Sequence, residues 1–354
     1  MYAHFKLYKV KPIYFWVVGF RGFLLRRLVT MAIVLIAVAT INFLLFQVMP
    51  FTVLKINPGQ WFLPIINPSA RQNAAYIEAE RAKIIATLGL NLPLQERYFV
   101  YLKAMFTFNF GYNVGSALTG PVSATILRFA PYTILLLGSS TIAAFVIGIF
   151  LGVYSAGRRG KWQDKTSFVT SLFFFAMPSF WIGTILILLF AYDLKLFPPD
   201  AAVSFSSYTG VAYVSHVLYA MILPFCSLTL ISVGGVYLIM RSTSIDVTTE
   251  DYIFMARAKG LKERVILYKH ILRNAILPQV TNFALSIAFI LSGAIITETI
   301  FGWPGLGYWS YQAVVSLDYP LEQGLFFVIA VMVVVANFTA DILYGFFDPR
   351  IRSG

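Results

Sequence analysis

Charge is scarce in this chain. Of its 354 residues, 12% are Asp, Glu, Lys or Arg and 59% are hydrophobic, whereas soluble domains run near 25% charged. Too few charges remain to cover a water-facing surface, which excludes an ordinary soluble protein. Disorder is excluded as well, because it requires low hydrophobicity. A single cysteine, Cys226, leaves no disulfide framework and no cysteine-rich metal site. Three histidines, His4, His216 and His270, lie far apart without HExxH spacing. No GxxxxGK(S/T) phosphate loop, no GxSxG elbow and no zinc-ligand cluster occurs. The chain itself is therefore not expected to be an enzyme or to carry a cofactor or metal.

What is present is apolar sequence in long runs. Residues 28–54, 129–157, 166–192, 201–240, 274–297 and 323–340 contain no Asp, Glu, Lys or Arg. A membrane-crossing helix needs ~20 such residues. The run 201–240 opens on Ser204, Ser206, Ser207 and Thr209, so its membrane part is expected over about 215–240. These runs predict an all-α, polytopic membrane protein with six transmembrane helices. Residues 28–49 are too long for a signal-peptide core, and Met49-Pro50 is no small-residue cleavage site. The eight residues Ile13–Phe20 are too few to cross and suit the lipid interface, beside Lys6, Lys9, Lys11 and Arg21.

Orientation follows from the basic residues. Alternate segments starting at the N-terminus hold 19 Lys and Arg, and the intervening ones hold 8. The richer set is expected in the cytoplasm, with both termini inside a multi-pass cell-membrane protein contacting lipid. The net charge of +12 is thus a topology signal, and with no basic soluble domain no nucleic-acid partner is expected. The expected organisation is a cytoplasmic or interfacial segment 1–27, a first span 28–49 and an extracytoplasmic segment 50–128. A five-helix core 129–347 follows, with a cytoplasmic loop 241–275, and then a tail 348–354.

The segment 50–128 is punctuated by Asn57-Pro58-Gly59 and Asn67-Pro68-Ser69. Ala74–Leu88 then reads as an amphipathic helix. Asn91 can cap a second helix, with Leu94, Tyr98, Tyr101, Leu102 and Met105 along one side. In the loop 241–275, Thr248-x-x-Asp251 has the form of a capping box opening a helix that Gly260 would stop. Ile253, Ala256 and Gly260 share one face of that helix by spacing, where small residues leave room for another surface. The loop's charges alone suit a basic loop holding helix ends at the inner leaflet. Its order, Ala256-Arg257-Ala258-Lys259-Gly260-Leu261 and then His270-x-Leu272-Arg273-Asn274-Ala275-x-Leu277-Pro278, is more specific.

Those residues resemble the coupling loop of permeases in ATP-binding-cassette importers. The match is to the dipeptide/oligopeptide/nickel branch, the first permease of its pair. Further matches run over about 26–352 and include Leu88-Gly89-Leu90-Asn91, Arg128-x-x-Pro131-x-Thr133, Thr297-Glu298-Thr299-Ile300-Phe301, Pro304-Gly305-Leu306-Gly307 and Asp348-Pro349-Arg350. Phe51-Thr52-Val53 and Phe108-Asn109-Phe110-Gly111 depart from the branch pattern. The resemblance implies a type I importer permease fold and a permease subunit of an ATP-driven, binding-protein-dependent importer, for peptides or alternatively oligosaccharides or nickel. It implies two cytoplasmic ATPase subunits that bind ATP and Mg, a second homologous permease and an extracytoplasmic substrate-binding protein. It places ATPase coupling on Ile253, Ala256, Arg257, Ala258, Lys259, Gly260 and Leu261.

Other residues are candidates on chemistry alone. An acid within a span is costly to leave unpaired, which singles out Glu298 and Asp341 as functional groups or as fixed partners of neighbouring donors. Ser139, Ser140, Thr141, Thr281, Asn282, Ser286 and Asn337 suit a pathway or hydrogen bonds between helices. The turn Gly302-Trp303-Pro304-Gly305 could meet the binding protein or simply reverse the chain. A secondary transporter or channel is the rival from another class, although no internal repeat supports it. A membrane-embedded enzyme lacks any catalytic constellation.

Overall fold

The computed structural model describes residues 20–53, 91–113, 120–201 and 209–347, together with Glu78, Ala79, Ala82, Ile85 and Leu118. The N-terminal residues 1–19, most of the expected Ala74–Leu88 helix and the tail 348–354 lie outside the described residues. So do the side chains of Thr281 and Asp341. Among the described residues the chain is helical and contains no named strand.

Helix α1, Phe20–Phe43, continues as a wider π-helical turn through Leu44–Val53. Helix α2, Leu94–Phe106, starts after Pro93, whose missing N–H costs nothing at a helix start. The predicted cap at Asn91 is therefore displaced by proline. Tyr101 and Met105 on α2 are buried and Tyr98 and Leu102 pack beside them, as the spacing predicted, whereas Leu94 is exposed. Arg97 turns inward as well and donates through Nη2 to the Gln47 carbonyl at 2.7 Å. Burial pulls its guanidinium below the ordinary pKa.

Helix α3 spans Val122–Ala156 and begins before the expected boundary at 129. With 35 residues it is about 50 Å long, well beyond the hydrocarbon thickness. Helix α4, Trp162–Ala176, and helix α5, Ser179–Leu186 with a π-helical extension to Asp193, correspond to the span expected over 166–192. That span is not straight, because the two helices meet at 102°. The cause is Pro178, which lacks an N–H and forces Met177 into extended backbone, φ −78° and ψ 139°. Helix α6, Gly210–Val247, carries the chain back. Helix α7, Asp251–Ala258, and a second helical segment over 263–275, here α8, form the loop between α6 and helix α9, Leu277–Ile300. Helix α10, Leu306–Ser316, and helix α11, Tyr319–Phe347, complete the described chain.

Among the described residues, four helices meet the length and apolarity of a membrane span, and the bent α4–α5 pair makes five if it is counted as one span. Helix α9, at 24 residues, is long enough for a sixth, so the count of six is compatible with the fold. Leu127, Val146, Ile147, Phe150, Val169 and Val211 point outward as large exposed apolar side chains. Such a surface is stable against lipid rather than water.

The centre of the bundle is the α3–α6 pair, with α4 against α6. Glycines set the spacing. A Cβ on Gly148 would lie 2.7 Å from Val236 Cβ, and one on Gly152 would lie 2.8 Å from Met240 Cβ. A Cβ on Gly234 would sit 2.5 Å from the Ser171 carbonyl oxygen. Without side chains there the backbones approach closely, and in a membrane such packing replaces the missing hydrophobic drive.

Candidate functional site

A cavity of about 630 Å³ opens between α3, α4, α5, α6 and α9. Its volume is in the range of small-molecule sites. Ser140 and Thr141 reach it from α3, Phe175 and Ser179 from either side of the α4–α5 break, Ser232 from α6, and Asn282 and Ser286 from α9. Leu137, Phe145, Leu228, Ile231 and Ile239 supply apolar wall. Among the described residues no charged side chain lines it. A helix interrupted within a membrane is tolerated where its freed backbone is buried in protein or lines a cavity, and the residues flanking the break at Pro178, Phe175 and Ser179, line this one.

Of the predicted pathway residues, Asn282 and Ser286 are therefore brought together with Ser140 and Thr141. Ser139 is not among them: its hydroxyl bonds back to the Leu135 carbonyl at 2.6 Å. Glu298 is also elsewhere and has a fixed structural role. Its carboxylate is fully buried and accepts from the Thr133 hydroxyl at 2.8 Å, the Gly307 N–H at 2.7 Å and the Tyr308 N–H at 3.1 Å. The Leu306 N–H donates in turn to Thr133 Oγ1 at 2.7 Å. Glu298, at the end of α9, thus caps the start of α10 and satisfies donors that no residue of α10 can reach. Gly305 is glycine for the same reason, since a Cβ there would collide with the Glu298 carboxylate.

The turn Gly302-Trp303-Pro304-Gly305, read from sequence as a contact for the binding protein or a reversal of the chain, is packed inside the bundle. All four residues are buried. Trp303 is 0% exposed, packs with Leu136, Val217 and Met221, and donates from Nε1 to the Tyr132 carbonyl at 3.1 Å. Offering no exposed side chain, the turn reverses the chain between α9 and α10 and locks it to α3.

The loop end of the bundle is built differently. Thr248 does not open α7: its hydroxyl donates to the Ile245 carbonyl at 2.6 Å and closes α6, while Glu250 takes the cap position. Gly260 does end α7. Its φ of +72° and the Leu261 N–H bond to the Ala256 carbonyl form a left-handed helix stop. The face shared by Ile253 and Ala256 is not open to a partner. Both are buried against Val153 of α3, Met240 of α6 and Ile266, Ile271 and Ala275 of α8. The Asn274 side-chain amide donates to the Tyr252 hydroxyl at 2.6 Å, tying α8 to α7. Exposed instead are Phe254 at 71%, Met255 at 55%, Tyr252 at 41% and Leu261 at 39%. Arg257, Ala258, Lys259 and Gly260 are exposed beside them.

Two polar features were not anticipated. Gln279, 1% exposed, donates from Nε2 to the Val236 carbonyl at 2.9 Å and ties α9 to α6. Asp164 and Arg241 form an ion pair between α4 and α6, with Nε–Oδ1 at 2.6 Å. The only hint of the pair in the sequence is a lone acid, Asp164, within the basic stretch 158–165.

A multi-pass helical bundle with an internal cavity lined, among the described residues, by uncharged side chains, and with a helical loop packed at one end, is an architecture suited to a membrane permease. Similarity to known proteins narrows the class. Residues 148–353 match the family described as binding-protein-dependent transport system inner membrane component. The chain is 37% identical over 305 residues to the oligopeptide transport system permease protein AppB of Bacillus subtilis, covering 86% of this chain and 93% of that one. It is 35% identical over 295 residues to the dipeptide transport system permease protein DppB of Escherichia coli, covering 78% and 86%. The di/tripeptide permease DppB of Pseudomonas aeruginosa is 35% identical over 288 residues, covering 77% and 84%. The chain belongs to the family of binding-protein-dependent transport system inner-membrane components and is a permease subunit.

Proposed function

We propose that the chain is one of two permease subunits of an ATP-driven peptide importer, and that α7 is where the ATPase engages it. One observation carries this reading. Helix α7 presents Tyr252, Phe254 and Met255 outward beside Arg257 and Lys259, while Ile253 and Ala256 on its other face are embedded in α3 and α6. An exposed apolar patch rimmed by charge marks a docking surface. A displacement of α7 then has a packed route to the helices that wall the cavity.

In this reading two ATPase subunits bind ATP and Mg at the cytoplasmic end, and Arg257, Ala258, Lys259, Gly260 and Leu261 flank the docked surface. Ile253 and Ala256 transmit the movement without touching the ATPase. A second homologous permease and an extracytoplasmic binding protein complete the importer, and the 19-to-8 basic asymmetry supports cytoplasmic termini. Peptide as the solute is supported by the names of the relatives, which are oligopeptide, dipeptide and di/tripeptide transport permeases. The lining agrees, because hydroxyl and amide groups without charge suit an amide backbone better than a metal ion.

Detergent co-purification of the ATPase subunits with Phe254→Glu tests the docking face. The variant is expected to insert normally and to lose most of its ATPase partners. Full recovery of them would remove α7 as the docking helix.

A further inference from the structure

We infer that the Asp164–Arg241 pair is a positioning element of transport, fastening α4 to α6 so that α4, α6 and α7 move as one body. The pair is doubly bonded: Arg241 Nε lies 2.6 Å from Asp164 Oδ1, and Nη2 lies 2.9 Å from Oδ2. Each carboxylate oxygen also accepts a second bond, Oδ1 from the Ser155 hydroxyl at 2.5 Å and Oδ2 from the Gly160 N–H at 2.9 Å. Ser155 Oγ and the Tyr237 hydroxyl are 2.7 Å apart. Asp164 is 3% exposed, and the Arg241 guanidinium lies over the Phe168 ring at 5.3 Å. One carboxylate on α4 thereby holds the end of α3, the α3–α4 turn and α6. Fork-on-carboxylate geometry of this kind fixes orientation as well as distance.

Its location gives the pair its consequence. Arg241 follows Met240, which belongs to the cluster that receives Ile253 and Ala256 of α7. Asp164 lies on the helix whose other end contributes Phe175 to the cavity wall. Near that other end, Gly234 of α6 rests against Ser171 and Phe175 of α4 without room for a Cβ. Helix α4 is thus joined to α6 at two levels, by glycine contact beside the cavity and by the ion pair beside the docking loop. Helix α1 packs instead on α11 and α2 and lies outside this body. Removal of the carboxylate charge leaves Arg241 without its counter-ion and frees the docking end of α4 from α6. The inference rests on the docking reading of α7, and its test separates the two.

The experiment uses the importer assembled with its ATPase subunits, in a Cys226→Ser background. Spin labels are placed at exposed Lys165→Cys on α4 and Thr249→Cys just before α7, or at Arg26→Cys on α1 and Thr249→Cys. Distances are measured without nucleotide and after trapping with ATP and vanadate. In the otherwise unaltered importer the 165–249 distance is expected to stay within the width of its distribution while the 26–249 distance shifts. In Asp164→Asn the 165–249 distance should shift on trapping although ATPase subunits remain bound, and Arg241→Lys, which keeps the charge but not the fork, should show a smaller shift. A 165–249 distance that changes on trapping in the unaltered importer overturns the inference, whether or not either variant folds. So does an Asp164→Asn importer whose distances match the unaltered ones. Failure of the ATPase subunits to assemble with the unaltered chain would instead count against the docking reading.

Discussion

Replacement of Glu298 by alanine separates its capping role from a role in the pathway. The carboxylate accepts from the Thr133 hydroxyl and from the Gly307 and Tyr308 N–H groups, all shielded from water. Each buried donor left unpaired costs about 1–3 kcal/mol, and loss of a helix N-cap costs about 0.5–2 kcal/mol. These terms overlap, since the cap consists of two of the three bonds, so the expected total is about 3–5 kcal/mol. Glu298→Gln keeps one acceptor oxygen and should lose about half as much. In detergent, thermal unfolding of Glu298→Ala is expected to begin on the order of 5–10 °C lower. Thr133→Val removes the relay to Leu306 and should destabilise as well. In the double variant the loss should be smaller than the sum of the two single losses, because both groups serve the same helix start. A Glu298→Ala protein with unchanged thermal stability and abolished uptake would refute the capping account and return Glu298 to the passage.

Two further outcomes are expected. At Gly260 nothing lies within 4 Å of an added Cβ, but φ is +72°; Gly260→Ala should therefore cost only about 1 kcal/mol of backbone strain and keep its ATPase partners, whereas Gly260→Glu places a charge beside the docking face and should lose them on co-purification. For orientation, single cysteines at Lys161 and Thr249 in intact cells should resist an impermeant thiol reagent while one at Lys103 labels, and outside labelling at Thr249 would reverse the topology.

Much of the architecture was legible because a bilayer imposes a simple rule on sequence. Every backbone polar group must be paired internally, so charge-free runs of sufficient length become helices, as at 28–49 and 129–157. Helix α2 and the stop at Gly260 were legible for local reasons, an apolar stripe and a residue tolerant of positive φ. The order of residues in 251–278 also carried the family resemblance. Local reading failed where proline acts on a span: 166–192 is one apolar run by composition, and the single residue Pro178 turns it through 102°.

Sequence alone determined the class of molecule, because composition fixes the solvent in which a chain can be stable, and 12% charge cannot support a water-facing surface. Which face of each helix turns inward was decided only by the tertiary structure. Hydrophobic spacing marks Ile253 and Ala256 as one stripe but cannot say whether that stripe meets a partner or the chain's own α3 and α6. In a span that is apolar all round, no periodicity tells a lipid face from a core face. Glu298 and Asp164 show the same limit for polar groups: each is a lone acid in sequence, and the donors that fix its role lie mostly on other helices. For Glu298 these are Thr133, 165 residues away, and the start of α10; for Asp164 they include Arg241, 77 residues away. Only packing brings such partners within hydrogen-bond distance, and only then is a lone charge fixed in place.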